Sequence, residues 1–150
     1  MEQFEYPVLL TVADEGGFVV TCRDLPELIT QGEDKDDALD QAADAMDEVF
    51  AVYMENGIAF KRPSQAKDGE YMVSPPAETL AKAALYTAMQ SAGITKVQLA
   101  QKLGVDEKEV RRLLDPRHAS KLPRLAHAVE VLGRRLVIGL ATEGVTHLMI

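Results

Sequence analysis

The sequence predicts an α+β chain of two unlike modules: a small β-β-β-α-β unit, then an all-helical unit that ends in a lone strand-like run. Three observations carry that prediction. Charge divides sharply: residues 1–74 hold 17 acidic and 5 basic side chains, a net of −12, while residues 79–135 hold 11 basic and 5 acidic ones, a net of +6. Ser74-Pro75-Pro76 lies between them, and consecutive prolines remove donors and push the preceding residue out of helical geometry. Four short β-type runs precede that seam, and four helical patterns follow it. The expected domains are therefore 1–74 and 75–141, with 142–150 as a tail.

In the first module, Phe4 to Ala13 is rich in apolar and β-branched residues, and Asp14-Glu15-Gly16-Gly17 supplies turn chemistry. Phe18 to Cys22 completes a β-hairpin. A third strand is expected over Leu28 to Gln31, ended by Gly32. Asp34 is placed to cap a long helix whose first turn is acidic, which suits the positive end of the dipole. Along that helix Leu39, Ala42, Met46, Val49, Phe50 and Tyr53 fall on one face, and Asn56-Gly57 stops it. Glu70 to Val73 reads as a fourth strand, with the helix laid on one face of the sheet.

Catalysis finds no support in this module. A metal-dependent nuclease needs several carboxylates converging on one ion. Here Asp14 and Glu15 sit in a turn, and the helix acids Asp36, Asp37, Asp40, Asp44, Asp47 and Glu48 lie opposite its apolar face, as a solvated acidic surface would. His118, His127 and His147 lack metal-ligand spacing, and Cys22 stands alone. No enzyme activity, metal or cofactor is expected. The longest apolar run, Leu136 to Ala141, is far too short to span a bilayer, the start carries no signal-type segment, and the single cysteine fits a reducing cytoplasm.

The second module opens with a helix over about Glu78 to Ala92, in which Leu80, Ala83, Ala84 and Met89 alternate with polar positions. Thr95-Lys96-Val97-Gln98 fits a capping box and starts a helix carrying Val97, Leu99, Ala100 and Leu103 that ends at Gly104. Asp106-Glu107-Lys108-Glu109 offers a second box for a short helix, with Val110, Leu113 and Leu114 inward and Lys108, Arg111 and Arg112 outward. Two short helices joined through Gly104-Val105, with a small Ala100 that permits close approach, read as a helix-turn-helix whose second helix enters the DNA major groove. A further helix, Leu122 to Leu132, buttresses the pair through Leu125, Ala126, Val129 and Leu132, and Gly133 ends it. The closing run Leu136-Val137-Ile138-Gly139-Leu140 is of β type and has no evident partner in its own chain. Pairing with the same run of a second copy would satisfy its backbone, giving a homodimer or higher even oligomer.

Two strings add a resemblance. Glu15-Gly16-Gly17-Phe18-Val19-Val20-Thr21, Asp24-Leu25-Pro26, Thr30-Gln31-Gly32-Glu33 and Asp37-Ala38-Leu39 together look like the HicB antitoxin family. Leu114-Asp115-Pro116-Arg117-His118-Ala119-Ser120-Lys121-Leu122 resembles the continuation found in HicB proteins with a phage-repressor-type helix-turn-helix. The resemblance covers roughly residues 6–140 and departs from the family mainly over Thr142 to Ile150. It implies a partial RNase H-like N-terminal fold without a working nuclease site. It also implies binding of HicA, a small basic ribonuclease toxin of double-stranded-RNA-binding fold, and repression of the operon that encodes both.

The residues expected to contact operator DNA are Glu107, Lys108 and Arg111 at base edges and Lys96, Arg112, Arg117 and Lys121 on the backbone, with Arg124 a further phosphate candidate. Leu136, Val137, Ile138 and Leu140 are expected to dimerise. Two alternatives stand beside this reading: a metal nuclease on an RNase H-like scaffold, and a ligand-responsive repressor with no toxin partner. The −12 half suits a basic protein partner, since complementary charge speeds encounter and suppresses wrong partners.

Overall fold

A computed structural model describes residues 1–142. The elements run β1 (Tyr6–Val12), β2 (Phe18–Thr21), β3 (Ile29–Gly32), α1 (Lys35–Glu55), β4 (Glu70–Val73), α2 (Ala77–Ala92), α3 (Lys96–Leu103), α4 (Glu107–Leu113) and α5 (Leu122–Val131). The protein is thus α+β, with four strands in one antiparallel sheet of order β3-β2-β1-β4 and five helices. It divides into two compact units. The first is built from Met1–Val49 and Lys61–Pro76, the second from Phe50–Phe60 and Ala77–Ile138.

In the first unit the register pairs Val12 with Phe18 and Leu10 with Val20, and Tyr6 with Val73 across the other side of β1. Opposed residues share a face, so Tyr6, Val8, Val20 and Val73 line the inner one, and all four are buried. The alternate residues Leu9, Thr11, Thr21, Ile29 and Gln31 are exposed. Helix α1 lies over the inner face with Ala38, Ala42, Met46 and Val49 buried, and the Lys35 ammonium sits 4.3 Å above the ring of Tyr71.

Two glycines make this packing possible. Gly17 adopts a left-handed conformation (φ 76°) in the hairpin turn, and a side chain there would also press on the Gly32 carbonyl at 2.5 Å. Gly32 needs no special φ but lies so close to α1 that a Cβ would fall 2.3 Å from the Ala38 nitrogen. Strand β3 can meet the first turn of α1 only because the residue between them has no side chain.

The long stretch between α1 and β4 is fastened by two buried acids. Asp24 accepts from the Ser64 amide and hydroxyl, each at 2.7 Å, and from Lys61 at 3.1 Å. Glu70 accepts from Arg23 Nε and Nη2, each at 2.9 Å, and from the Lys67 amide at 2.7 Å. Both buried carboxylates are therefore committed to holding main chain and cations.

The second unit has α2 at its centre, with Thr79, Ala81, Lys82, Ala83, Leu85, Tyr86, Ala88 and Met89 all buried. That corrects the expected face: Leu80 and Ala84 are only half-buried, because a central helix is packed nearly all round and no single stripe defines it. Phe60 stacks among Phe50, Tyr53 and Tyr86 at centroid separations of 4.5, 5.8 and 5.7 Å. The Tyr86 hydroxyl donates to the Ile58 carbonyl at 2.9 Å, just after the Gly57 cap of α1. On α5, Ala128 rather than Ala126 joins Leu125 and Val129 in the core.

Among the described residues the expected C-terminal strand is not formed: Leu136 to Leu140 makes no ladder, and Val137, Ile138 and Leu140 are exposed. A strand exists only where a second edge takes up its backbone groups, and this run meets none among the described residues. Most of the expected tail, residues 143–150, lies outside the described residues.

The Arg23 hydrogen bonds hold the Glu70 carboxyl below the usual carboxylate range. Burial pushes Asp24 up, but Ser64 and Lys61 outweigh it and leave Asp24 lowered as well. A pKa lower in the folded than in the unfolded chain stabilises above the ordinary carboxylate range, and that stabilisation is lost as pH falls through the folded value. Glu70→Gln should thus cost about 1–3 kcal/mol at neutral pH, and its deficit against the parent should shrink as pH falls below the ordinary carboxylate range. Urea unfolding across that range measures it; a deficit independent of pH would reject the assignment.

Candidate functional site

The sequence places its cations on α4 and the chain after it, and local signals set those elements. Thr95 and Gln98 form the expected reciprocal box, with the Gln98 amide on Thr95 Oγ1 at 3.1 Å and the Thr95 amide on Gln98 Oε1 at 2.8 Å. Gly104, left-handed at φ 69°, ends α3, and Asp106 caps α4 by accepting from the Glu109 amide at 2.9 Å. Ala100 is buried, and its carbonyl accepts from Val105 in the turn. Leu99, Val110, Leu113 and Leu114 are buried, whereas Val97 faces out.

The second box closes by only half. The Glu109 side chain does not return to the Asp106 amide; its Oε1 accepts from Arg124 Nη1 at 2.7 Å and its Oε2 lies 3.7 Å from Arg112. A guanidinium fifteen residues away takes the carboxylate in place of the neighbouring amide, because it adds the attraction of a full positive charge to the hydrogen bond.

Each expected contact residue has a definite setting. Glu107 and Arg111 pair with each other at 2.8 Å across one turn of α4, leaving the Arg111 side chain 63% exposed. Lys108 and Lys121 are exposed, and Lys96, the first residue of α3, is half-buried. Arg117 is engaged by Glu55 from the last turn of α1. Arg112, Lys121 and Arg124 come together with His118, Ser120 and Glu109 around one concavity of about 330 Å³, which Lys96, Glu107, Lys108, Arg111 and Arg117 do not line.

Behind this surface stands a residue that the sequence counts only as one more base. Lys82 is fully buried, and its ammonium is surrounded by four oxygens at 2.6–2.8 Å: the carbonyls of Arg112, Asp115 and His118 and the hydroxyl of Ser120. Burial lowers its pKa, against the pull of Glu78, Asp115 and Glu109. The Ser120 amide is in turn fixed by Glu78 at 3.0 Å. A cation at carbonyls that end a helix also complements the negative end of the α4 dipole. No pattern marked it, since a lysine in Ala81-Lys82-Ala83-Ala84 looks like any exposed helix lysine.

The first unit carries the opposite charge. Counted over residues 1–49 with 61–76, the first holds 16 acids and 5 bases, a net of −11, and over 50–60 with 77–138 the second holds 7 acids and 11 bases, a net of +4. Asp14, Glu15, Glu33 and Asp37 gather around the hairpin turn and the start of α1. Among the described residues no group of three or more His, Cys, Asp or Glu is arranged to hold a metal ion. Burial raises the Cys22 thiol, which makes it a poor nucleophile.

Comparison with known proteins gives one consistent picture. The profile of the family described as HicB_like antitoxin of bacterial toxin-antitoxin system matches residues 5–84. The chain is 34% identical to antitoxin HicB of Escherichia coli strain K12 over 131 residues, which covers 87% of this chain and 95% of that protein. It is 34% identical over 142 residues to antitoxin HicB of Pseudomonas fluorescens strain Pf0-1, covering 90% and 92%. With antitoxin HicB 1 of Photorhabdus laumondii it shares 30% identity over 140 residues, covering 93% and 89%.

Replacing Lys82 by methionine would leave three carbonyls without their donor in a site closed to water. We expect Lys82→Met to cost about 2–4 kcal/mol in urea unfolding, well beyond an exposed lysine such as Lys108→Met, which should change stability by under about 0.5 kcal/mol. Equal effects at the two positions would show that the buried ammonium is dispensable.

Proposed function

The chain belongs to the HicB-like family of bacterial antitoxins, and from that premise we propose that it binds and neutralises a cognate HicA-type ribonuclease toxin and represses its own operon. The observation that carries this reading is the opposite charge of the two units, −11 and +4, in a chain whose relatives are antitoxins. The acidic unit, as a partial RNase H-like domain with its buried carboxylates engaged in structural bonds, is the toxin-binding half. Complementary charge would give it fast and selective encounter with a basic nuclease.

In the second unit, α3 and α4 act as a helix-turn-helix. Exposed Lys108 and Arg111 supply base contacts, with Glu107 orienting Arg111 through their ion pair, and Lys96, Arg112, Arg117 and Lys121 serve the backbone. Arg117 would exchange Glu55 for phosphate on binding. The exposed apolar run Val137, Ile138 and Leu140, with Leu136, pairs with its counterpart in a second copy. That spaces two α4 helices for half-sites about one DNA turn, ~34 Å, apart.

A short basic reading frame beside this gene is the expected toxin gene, and co-expression with it tests the first half: the toxic phenotype should disappear and the two proteins should co-purify. Continued toxicity, or operator release by a metabolite in place of a protein, would favour a ligand-responsive repressor. For the second half, Arg111→Ala should cost about 1–3 kcal/mol of operator binding and relax preference at one base pair. A loss uniform across sequences would move Arg111 to the phosphate set. Removing residues 136–150 should convert the assembly to monomers by light scattering, and an unchanged mass would rule out pairing through this segment.

A further inference from the structure

The concavity between α4 and the start of α5 is ringed by three permanent cations, Arg112, Lys121 and Arg124, with His118 and the Ser120 hydroxyl beside them. One acid stands among them. Glu109 accepts from Arg124 at 2.7 Å and lies 3.7 Å from Arg112, so a single carboxylate draws both guanidiniums inward over the same spot. It is also the most sheltered of the three, 21% exposed against 44% for Arg112 and 58% for Arg124. Guanidinium forks suit carboxylate and phosphate oxygens alike, and arginines this open to water are held weakly by their carboxylate and exchange readily for another anion. The wall that carries Arg112, His118 and Ser120 is itself fixed from behind by Lys82, so the cations surround a prepared shape.

We propose that this concavity seats one backbone phosphate of a DNA duplex, and that Glu109 is its resident anion, holding the two arginines in the free protein and yielding them to the phosphate on binding. The proposal rests on the DNA-binding reading and adds to it a defined seat and a residue whose presence lowers affinity. Glu109 keeps the cations from collapsing onto other acids and ensures that a lone phosphate contact gains little. Tight binding then requires the rest of the interface to form as well.

The test uses the full chain and a mixed-sequence duplex followed by fluorescence anisotropy. Between about 50 and 200 mM salt, Arg124→Gln and Lys121→Gln should each weaken binding and flatten the log–log salt slope by about 0.9, the signature of one lost phosphate contact. Glu109→Gln should tighten binding on the order of threefold to tenfold, while Glu130→Gln, an exposed acid of α5 outside the concavity, should move it by less than about twofold. Equal gains from the two glutamines would reduce Glu109 to general charge and overturn its role. Unchanged slopes in Arg124→Gln and Lys121→Gln, with Arg111→Ala still impaired, would overturn the seat and leave the DNA reading standing. Absence of any duplex binding by the folded parent would instead remove that reading together with the seat. Inorganic phosphate at constant ionic strength should leave the parent's thermal midpoint unchanged. A rise abolished by Arg124→Gln, without any effect on the DNA slope, would assign the seat to a free anion and overturn the proposal.

Discussion

The Lys82 ammonium lies where water does not reach and where the carbonyls of Arg112, Asp115 and His118 converge, and the cationic side of the second unit depends on it. Carbonyl groups at the end of a helix and around a tight turn repel one another when they point to a common centre. Without a donor, each would have to turn outward to water and carry its side chain elsewhere. One ammonium with three protons satisfies all three carbonyls, at the cost of burying a charge that main-chain dipoles then surround. Arg112, Arg117, His118 and Lys121 are all spaced along the stretch so anchored, so their relative positions follow from a residue that none of them resembles in exposure.

Above that anchor the surface cations are kept in order by acids of the same unit. Glu107 holds Arg111, Glu109 holds Arg124 and approaches Arg112, and Glu55 holds Arg117. Pairs this exposed contribute little to stability, about 0–1 kcal/mol each, so folding does not need them. What they fix is direction: an arginine tied at one oxygen explores fewer rotamers than a free one, and less entropy is then lost when a ligand oxygen replaces the carboxylate. Lysines 96, 108 and 121 have no such tie among the described ion pairs and supply charge without geometry. Arginine and lysine thus take different parts in the same surface.

Much of this architecture was legible because its causes are local. The Thr95–Gln98 box, the Gly104 stop and the Asn56-Gly57 end of α1 stand as the sequence predicts, since each depends on residues within a few positions. Gly32 was visible as a break, but the reason for it, an approach to Ala38 too close for any side chain, needs α1 in place. Lys82 was illegible for a stronger reason. Its partners are main-chain carbonyls, which every residue has, so the composition of residues 112–120 gives no hint of a cation among them. Glu109 misled in the opposite way: Asp-x-x-Glu is a sound local signal, and only the arrival of Arg124 from α5 shows where the carboxylate goes. The run from Leu136 to Leu140 has strand chemistry and no strand, because a ladder is a property of two edges and the described residues supply one.

The net charge of −8 would seem to turn a polyanion away, and its physical reach explains why it does not decide the matter. At physiological ionic strength exposed charges farther apart than about 8 Å are largely screened from one another. An anion at the concavity beside α5 would therefore respond first to the charges that line it, Arg112, Lys121, Arg124 and Glu109. Charges of −11 and +4 are carried on one chain, and an anion is favoured locally wherever the cations facing it outnumber the acids standing among them. At the concavity that margin is three permanent cations to one carboxylate, and Glu109 is the residue that sets how far it exceeds balance.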